Sequence, residues 1–331
     1  MFRNVNMLFG RNTHFILSIA FLFVQCYDCI MPFVLLLFSH VKLFLGNTNE
    51  TIVLPGQLTN ARTGQTGADM KINYHTHTQR CRHAQGSEED YVKSALAAGV
   101  ELLGFSDHAP FPDRDFGLRM PYTELTEHIQ TIDLLTAKYS ADIILCKGLE
   151  IEYLPEYHAY YESLLEEWKL DYLLLGEHFY RNSAGELFNI TQAQSTEDYL
   201  DYARAVVQAM ETGYFRMVAH PDIFAMNHFA WDRNCDAACD MIIHAAVSTG
   251  TLLEFNANGF RRGIQDYPDG KRYMYPHRAF WEKVSDSHAC VIIGSDCHNP
   301  VQVWDRCLPD SYEYVKSLGI LPIDMPDAVL I

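Results

Sequence analysis

From residue 70 onward, short, largely apolar runs alternate with longer stretches whose apolar residues recur at three- and four-residue spacing. The runs cover residues 71–74, 101–105, 142–146, 172–175, 216–219, 252–255 and 290–293. Such lengths suit strands buried on both faces, and their alternation with helical patterns predicts a parallel α/β protein. Helices are predicted over 123–139, 156–168, 196–212, 236–248 and 276–287. A further one opens at Ser87, a serine cap followed by the acidic turn Glu88-Glu89-Asp90. Gly99, Gly213 and Gly250 each stand between a helix and the next strand, where a C-terminal glycine cap belongs.

Polar residues follow each run. After the first come His75, His77 and His83; after the second, Ser106-Asp107-His108; after the third, the segment to Glu150. The fourth is followed by Gly176-Glu177-His178, the fifth by His220-Pro221-Asp222, the sixth by Asn256 to Arg262, and the seventh by Asp296-Cys297-His298. In a parallel barrel all strand C-termini open on one mouth. Alternate residues of a strand point the same way, so His75 and His77 project together, and Cys297 turns away from Asp296 and His298. A lone histidine after a strand is usually a hydrogen-bonded structural residue. Six of seven strand ends carrying His, Asp or Glu make a shared site the better reading. His128, His158, His244, His277 and His288 fall on predicted helices and read as surface or capping residues; His228 is ambiguous.

Imidazole and carboxylate groups without thiolates suit zinc, manganese or iron. Seven histidines and at least two carboxylates exceed one tetrahedral site, so two or three divalent ions are expected, with Glu150 able to bridge two. Such a centre deprotonates water near neutral pH and holds the oxygens of an in-line displacement at phosphorus. The chain has neither a glycine-rich phosphate loop nor a serine nucleophile elbow. Hydrolysis of a small-molecule phosphate ester by metal-activated hydroxide is therefore the first expectation. Arg261, Arg262 and Arg119 are the candidate guanidinium clamps for the phosphoryl group.

The formal net charge of −17, without a basic block, argues against a nucleic-acid partner. Nine scattered cysteines suit a reducing compartment. The pairs Cys26/Cys29 and Cys235/Cys239 lack a matching second pair for a zinc knuckle. Residues 1–46 are strongly apolar, but Asp28 and Pro32 break the runs 15–23 and 30–38, and neither reaches the roughly 20 residues of a spanning helix. With the polar linker 47–69, this segment reads as a signal or anchor, as a membrane-lying stretch, or as a misassigned start with Met70 the true initiator. The last is favoured. It makes 70–331 the working domain, cytoplasmic, with a membrane association only if the 1–46 leader is real.

The motifs His75-Thr-His77 with His83, Gly104 to His108, Gly148-Leu149-Glu150, His178, His220-Pro221 and Gly294 to His298 resemble the polymerase-and-histidinol-phosphatase (PHP) family. The stretches His83 to Tyr91, Gly104 to Pro110 and Asn256 to Arg261 look most like its monofunctional histidinol-phosphate phosphatases. The resemblance implies a distorted seven-stranded (β/α)7 TIM-like barrel with a trinuclear centre. One ion would take His75, His77, Glu150 and Asp296, a second Glu150, His178 and His220, and the third His83, His108 and His298. Asp107 would orient a ligand rather than bind an ion. Glu150, Asp296 and His298 would carry the catalysis. The implied reaction converts L-histidinol phosphate to L-histidinol and phosphate in histidine biosynthesis. Glu152, Glu177 or Asp222 would meet the cationic end of that substrate. Rival readings are another phosphoesterase of the same family, acting on nucleotides or sugar phosphates, a metal-dependent amidohydrolase, and a non-catalytic metal-binding domain.

Overall fold

The computed structural model describes residues 70–323; the expectations for segment 1–69 lie outside the described residues. All seven predicted strands form: β1 Ile72–Asn73, β2 Leu102–Phe105, β3 Ile144–Ile151, β4 Tyr172–Leu175, β5 Met217–Val218, β6 Leu252–Asn256 and β7 Val291–Gly294. They lie in sequence order in one sheet, every neighbouring pair parallel. The two edges meet at the C-terminal end. Thr76 bridges Cys297, and the His77 N–H donates to the Cys297 carbonyl at 3.0 Å. Asn73 completes the seam: its Oδ1 accepts the Ser295 N–H at 3.1 Å and its Nδ2 donates to the Val303 carbonyl at 3.0 Å. The result is the expected nearly closed, distorted seven-stranded barrel.

Three strands depart from the sequence reading by more than one residue in length, β5 only by losing one residue at each end. β3 runs to Ile151, five residues past the expected end. Lys147 and Gly148 break the apolar pattern, but the Lys147 ammonium reaches out to Asp133 at 2.7 Å, so the strand continues and carries Glu150 itself. β1 is shorter than expected and stops at Asn73. The His75 N–H turns back to Asn73 Oδ1 at 3.3 Å, and His75 and His77 sit on an extended segment beyond the ladder.

Successive residues explain why the strands are apolar throughout. Leu102, Cys146, Leu174, Leu252 and Ile292 fill the barrel, whereas Leu103, Leu145, Leu173, Leu253 and Ile293 pack under the helices. Higher in the barrel, glycines replace the inward side chains. A Cβ on Gly104 or Gly148 would come within 2.3 Å of Tyr172, whose ring closes the floor of the site. Its hydroxyl donates to the Tyr74 carbonyl at 2.6 Å.

The outer layer comprises α1 Glu88–Ala98, α2 Leu125–Tyr139, α3 His158–Glu166, α4 Asp198–Thr212, α5 Arg233–Thr249, the single turn α6 Asn258–Arg261, α7 Arg278–Ser285 and α8 Cys307–Ser317. Ser87 and Asp90 form a reciprocal capping box on α1. Gly99, Gly213 and Gly250 are left-handed C-caps, as expected from the sequence. α6, α8 and two hairpins, Phe179–Arg181 with Leu187–Asn189 and Gln265–Tyr267 with Gly270–Arg272, were not anticipated. Among the described residues no helix is long and apolar enough to cross a membrane.

Candidate metal centre

The seven histidines expected at the mouth converge there with Glu150 and Asp296. His75 Nε2 and His77 Nε2 lie 3.0 Å apart, and each is 3.3 Å from Glu150 Oε2. Asp296 Oδ1 closes this group at 3.2 Å from His77 and 3.7 Å from His75. The other oxygen of Glu150 faces His220 Nε2 at 3.0 Å and His178 Nε2 at 3.7 Å. His108 Nδ1 approaches Glu150 Oε2 at 3.1 Å and sits between the groups, within reach of His77 and His298 as well as His178. His83 and His298 meet through their Nε2 atoms at 2.9 Å. Glu150 thus stands at the middle of the cluster.

Local structure aims these side chains. His220 and Asp296 both adopt positive φ, 30° and 46°, conformations that non-glycine residues hold only under constraint. The Asp296 carboxylate is held by the Asn256 and Asn258 amides at 3.2 and 3.1 Å. Gly176 makes room for Glu150: a Cβ there would lie 2.2 Å from its Oε1.

The donor set fits divalent cations. His83 Nδ1 donates to the Cys81 carbonyl at 2.7 Å and His298 Nδ1 to the Asp296 carbonyl at 3.1 Å, because a carbonyl oxygen can only accept. Their Nε2 lone pairs therefore face each other across 2.9 Å, an arrangement that repels unless a cation lies between them. Burial, and then His77, lowers the His298 pKa to about 3; burial likewise lowers those of His83 and His108. These lowered values favour the neutral ring, the form in which an imidazole can bind a cation. Burial opposes charge on Glu150 and Asp296, yet the surrounding imidazoles hold both well below the ordinary carboxylate range. His75 is the counterpart: against burial, Glu254, Asp296 and Glu150 raise its pKa well above the usual value. The pocket attracts positive charge.

The sequence reading missed Glu254. This buried carboxylate accepts from His75 Nδ1 at 2.7 Å, leaving His75 Nε2 free for an ion, and its second oxygen accepts the His220 N–H at 3.0 Å. It is the one acid on the inward face of β6, and that was its signal. Cys81 was also missed; its sulfur lies 3.0 Å from Asp107 and 3.4 Å from His77 Nδ1. Asp107 is turned towards Thr78 and Cys81 rather than towards His108 beside it.

Two of the three expected guanidinium clamps are corrected. Arg261 is spent on structure: it pairs with Asp305 at 2.7 Å and donates to the Ser295 hydroxyl and carbonyl and to the Gln302 carbonyl. Arg119 forms a two-pronged pair with Glu152, both contacts 2.9 Å, and lines a neighbouring cavity instead. Arg262 alone of the three lines the cavity over the cluster, about 570 Å³, together with Asn258 and Tyr275. Glu152, Glu177 and Asp222 are buried and absent from its lining, so they do not meet a substrate cation. Glu152 is held by Arg119, Glu177 accepts the Tyr153 N–H, and Asp222 accepts from His277 and Trp281. His128 is not a surface residue; it is fully buried on α2 and bonded to Glu88 at 3.0 Å.

A parallel seven-stranded barrel with such a His/Asp/Glu cluster at its mouth has the architecture of a metal-dependent hydrolase. Residues 73–258, more than half of the chain, match the PHP domain, and the chain belongs to that family. It is 26% identical over 253 residues to a Deinococcus radiodurans protein named probable histidinol-phosphatase, covering 74% of this chain and 92% of that one. It is 22% identical over 260 residues to the histidinol-phosphatase of Bacillus subtilis, covering 69% and 94% of the two. Its fold is similar to the crystal structure of histidinol phosphate phosphatase from Lactococcus lactis, complexed with zinc, L-histidinol and phosphate. That TM-score is 0.58 at 19% identity, over 76% of this chain and 95% of the other.

Proposed function

We propose that this protein is a phosphoric monoester hydrolase acting on L-histidinol phosphate in histidine biosynthesis, within a reducing, cytoplasmic compartment. The observation that carries the hydrolase reading is the convergence of seven imidazoles and the carboxylates of Glu150 and Asp296, with bare ring nitrogens facing one another. His75, His77, Glu150 and Asp296 would hold one cation, Glu150, His178 and His220 a second, and His83, His108 and His298 a third. Cations bound there supply Lewis acidity to the phosphoryl oxygens and an activated water as nucleophile.

The chain's own residues do the rest. Glu254 fixes the His75 tautomer, and Asn256 and Asn258 fix the Asp296 carboxylate. Arg262 lines the cavity, and its guanidinium would take phosphoryl oxygens there. Leu118, Ile223, Met226 and Tyr275 give the cavity an apolar wall, suited to a small ring such as imidazole. The choice of ester is supported by the names of the Deinococcus and Bacillus relatives and by the ligands of the Lactococcus structure. The compartment is supported by free cysteines at all seven positions of the described residues.

The test is phosphate release from L-histidinol phosphate by the zinc- or manganese-supplied protein, with and without chelator, beside the Asp296→Asn variant. Chelator-sensitive turnover that falls at least about a thousandfold in the variant is expected. Turnover indifferent to both treatments would rule out the assigned centre.

A further inference from the structure

We propose that Cys81 is a positioning residue of the metal centre, its buried thiol holding the ring of His77 and the backbone of His108 at once. The proposal rests on reading His77 and His108 as metal ligands. The sulfur has three polar neighbours: His77 Nδ1 at 3.4 Å, the His108 N–H at 3.1 Å and Asp107 Oδ1 at 3.0 Å. With a cation on His77 Nε2 beside Glu150 and Asp296, as the proposed centre requires, its Nδ1 carries the hydrogen and the sulfur accepts it. The His108 amide can only donate. The single thiol hydrogen therefore goes to Asp107. Each of the three contacts has one consistent direction, and a neutral thiol supplies the two acceptances and one donation required.

The thiol is itself braced. Thr78 caps the turn Gln79–Cys81 and donates its N–H to Asp107 Oδ1 at 2.8 Å. Behind Asp107, His128 Nε2 lies 3.7 Å from its second oxygen, while His128 Nδ1 meets Glu88 at 3.0 Å. Glu88 in turn takes Arg80 at 2.5 Å. Buried polar groups thus extend from a ligand ring to helices α1 and α2, hydrogen-bonded on either side of the 3.7 Å gap between Asp107 and His128. They account for a buried acid in the first turn of α1 and a buried histidine on α2, neither of which the site otherwise uses. A merely space-filling cysteine would have apolar neighbours.

Cys81, His77 and Asp107 also lie close enough to share a cation themselves. That would require His77 to give both nitrogens to ions, and its Nδ1 is already a donor to the sulfur in the arrangement above. The two roles are separable by spectroscopy.

The experiment loads the full chain with zinc and follows its release to a chromogenic chelator in the wild type, Cys81→Ala, Cys81→Ser and Cys146→Ala, the last removing a buried thiol from the barrel interior. Release at least about tenfold faster is expected for Cys81→Ala, an intermediate rate for Cys81→Ser, and the wild-type rate for Cys146→Ala. A wild-type rate in Cys81→Ala, or equal rates in the alanine and serine variants, overturns the proposal. If Cys81→Ala does not fold, the serine variant decides: faster release supports the role and an unchanged rate overturns it. The cobalt-loaded wild type is expected to lack a thiolate-to-cobalt charge-transfer band; such a band, lost in Cys81→Ser, would make Cys81 a ligand and overturn positioning. A wild type that takes up no zinc would overturn the metal-centre reading itself, whereas intact zinc binding with unaltered variants overturns only the role of Cys81.

Discussion

Glu254 sets the chemistry of its neighbour by accepting from His75 Nδ1 at 2.7 Å. A glutamine there can donate instead, which moves the ring hydrogen to Nε2 and blocks the lone pair that an ion needs. Glu254→Gln is expected to lower kcat/KM by about 10- to 100-fold and to lower bound metal per chain, read by steady-state kinetics and elemental analysis. The two adjacent arginines separate function from structure. Arg262→Ala is expected to reduce kcat/KM by roughly a hundredfold with little change in Tm, whereas Arg261→Ala destabilises by about 2 kcal/mol in thermal or denaturant unfolding because Asp305 loses its partner. At this scale the convergence of these side chains on one mouth was legible because histidines and acids after successive strands are costly unless used. The roles of the arginines were not, because proximity in sequence to a strand end does not say which way a long side chain turns. Arg261 folds back to Ser295 and Asp305, and its neighbour faces the cavity.

Secondary structure carries the site through what it leaves out as much as through what it presents. Gly294 on β7 lies so close to Glu254 that a Cβ would stand 1.7 Å from Oε1. The carboxylate cannot retreat without releasing His75 and the His220 amide. Gly294→Ala is therefore expected to lose bound metal and turnover, with a destabilisation of about 1–3 kcal/mol from overpacking in thermal or denaturant unfolding. The strands were readable from their apolar runs, and α1 from its cap. The end of β3 was not, since Lys147-Gly148 looks like a break until its ammonium is seen paired with Asp133. The two hairpins escaped because three-residue strands leave too short a pattern to show period two. The role of the glycines inside the barrel was not legible in the sequence; only the fold shows Tyr172, Glu150 and Glu254 filling the space they vacate.

Across the whole molecule, acid acts through groups away from the site as well as within it. His277 caps α7 by accepting the Ala279 N–H, and burial, then Arg272, lowers its pKa to about 4. The unfolded chain takes up this proton near 6.5, so the contribution of His277 is whole above that value and is lost as the pH falls from 6.5 to about 4. It amounts to at most roughly 3 kcal/mol. Glu88 adds a second, lower window. Burial opposes its charge, but His128 and Arg80 bring its pKa to about 2, so its stabilisation is present above 4.5 and disappears towards pH 2. Unfolding midpoints measured against pH are expected to fall below pH 6.5, and His277→Asn, which keeps a capping oxygen without titrating, flattens the first step. The barrel itself, seven short strands with their C-terminal ends on one mouth, gathers side chains separated by more than 200 residues of chain, Asp296 and His298 beside His75 and His77. The central claim is that this mouth hydrolyses L-histidinol phosphate. The most direct test compares kcat/KM for that ester with a panel of nucleotide and sugar phosphates, using full-length protein of determined metal content. A preference of at least about a hundredfold for L-histidinol phosphate is expected; equal or better turnover of another ester by the metal-loaded protein would contradict it.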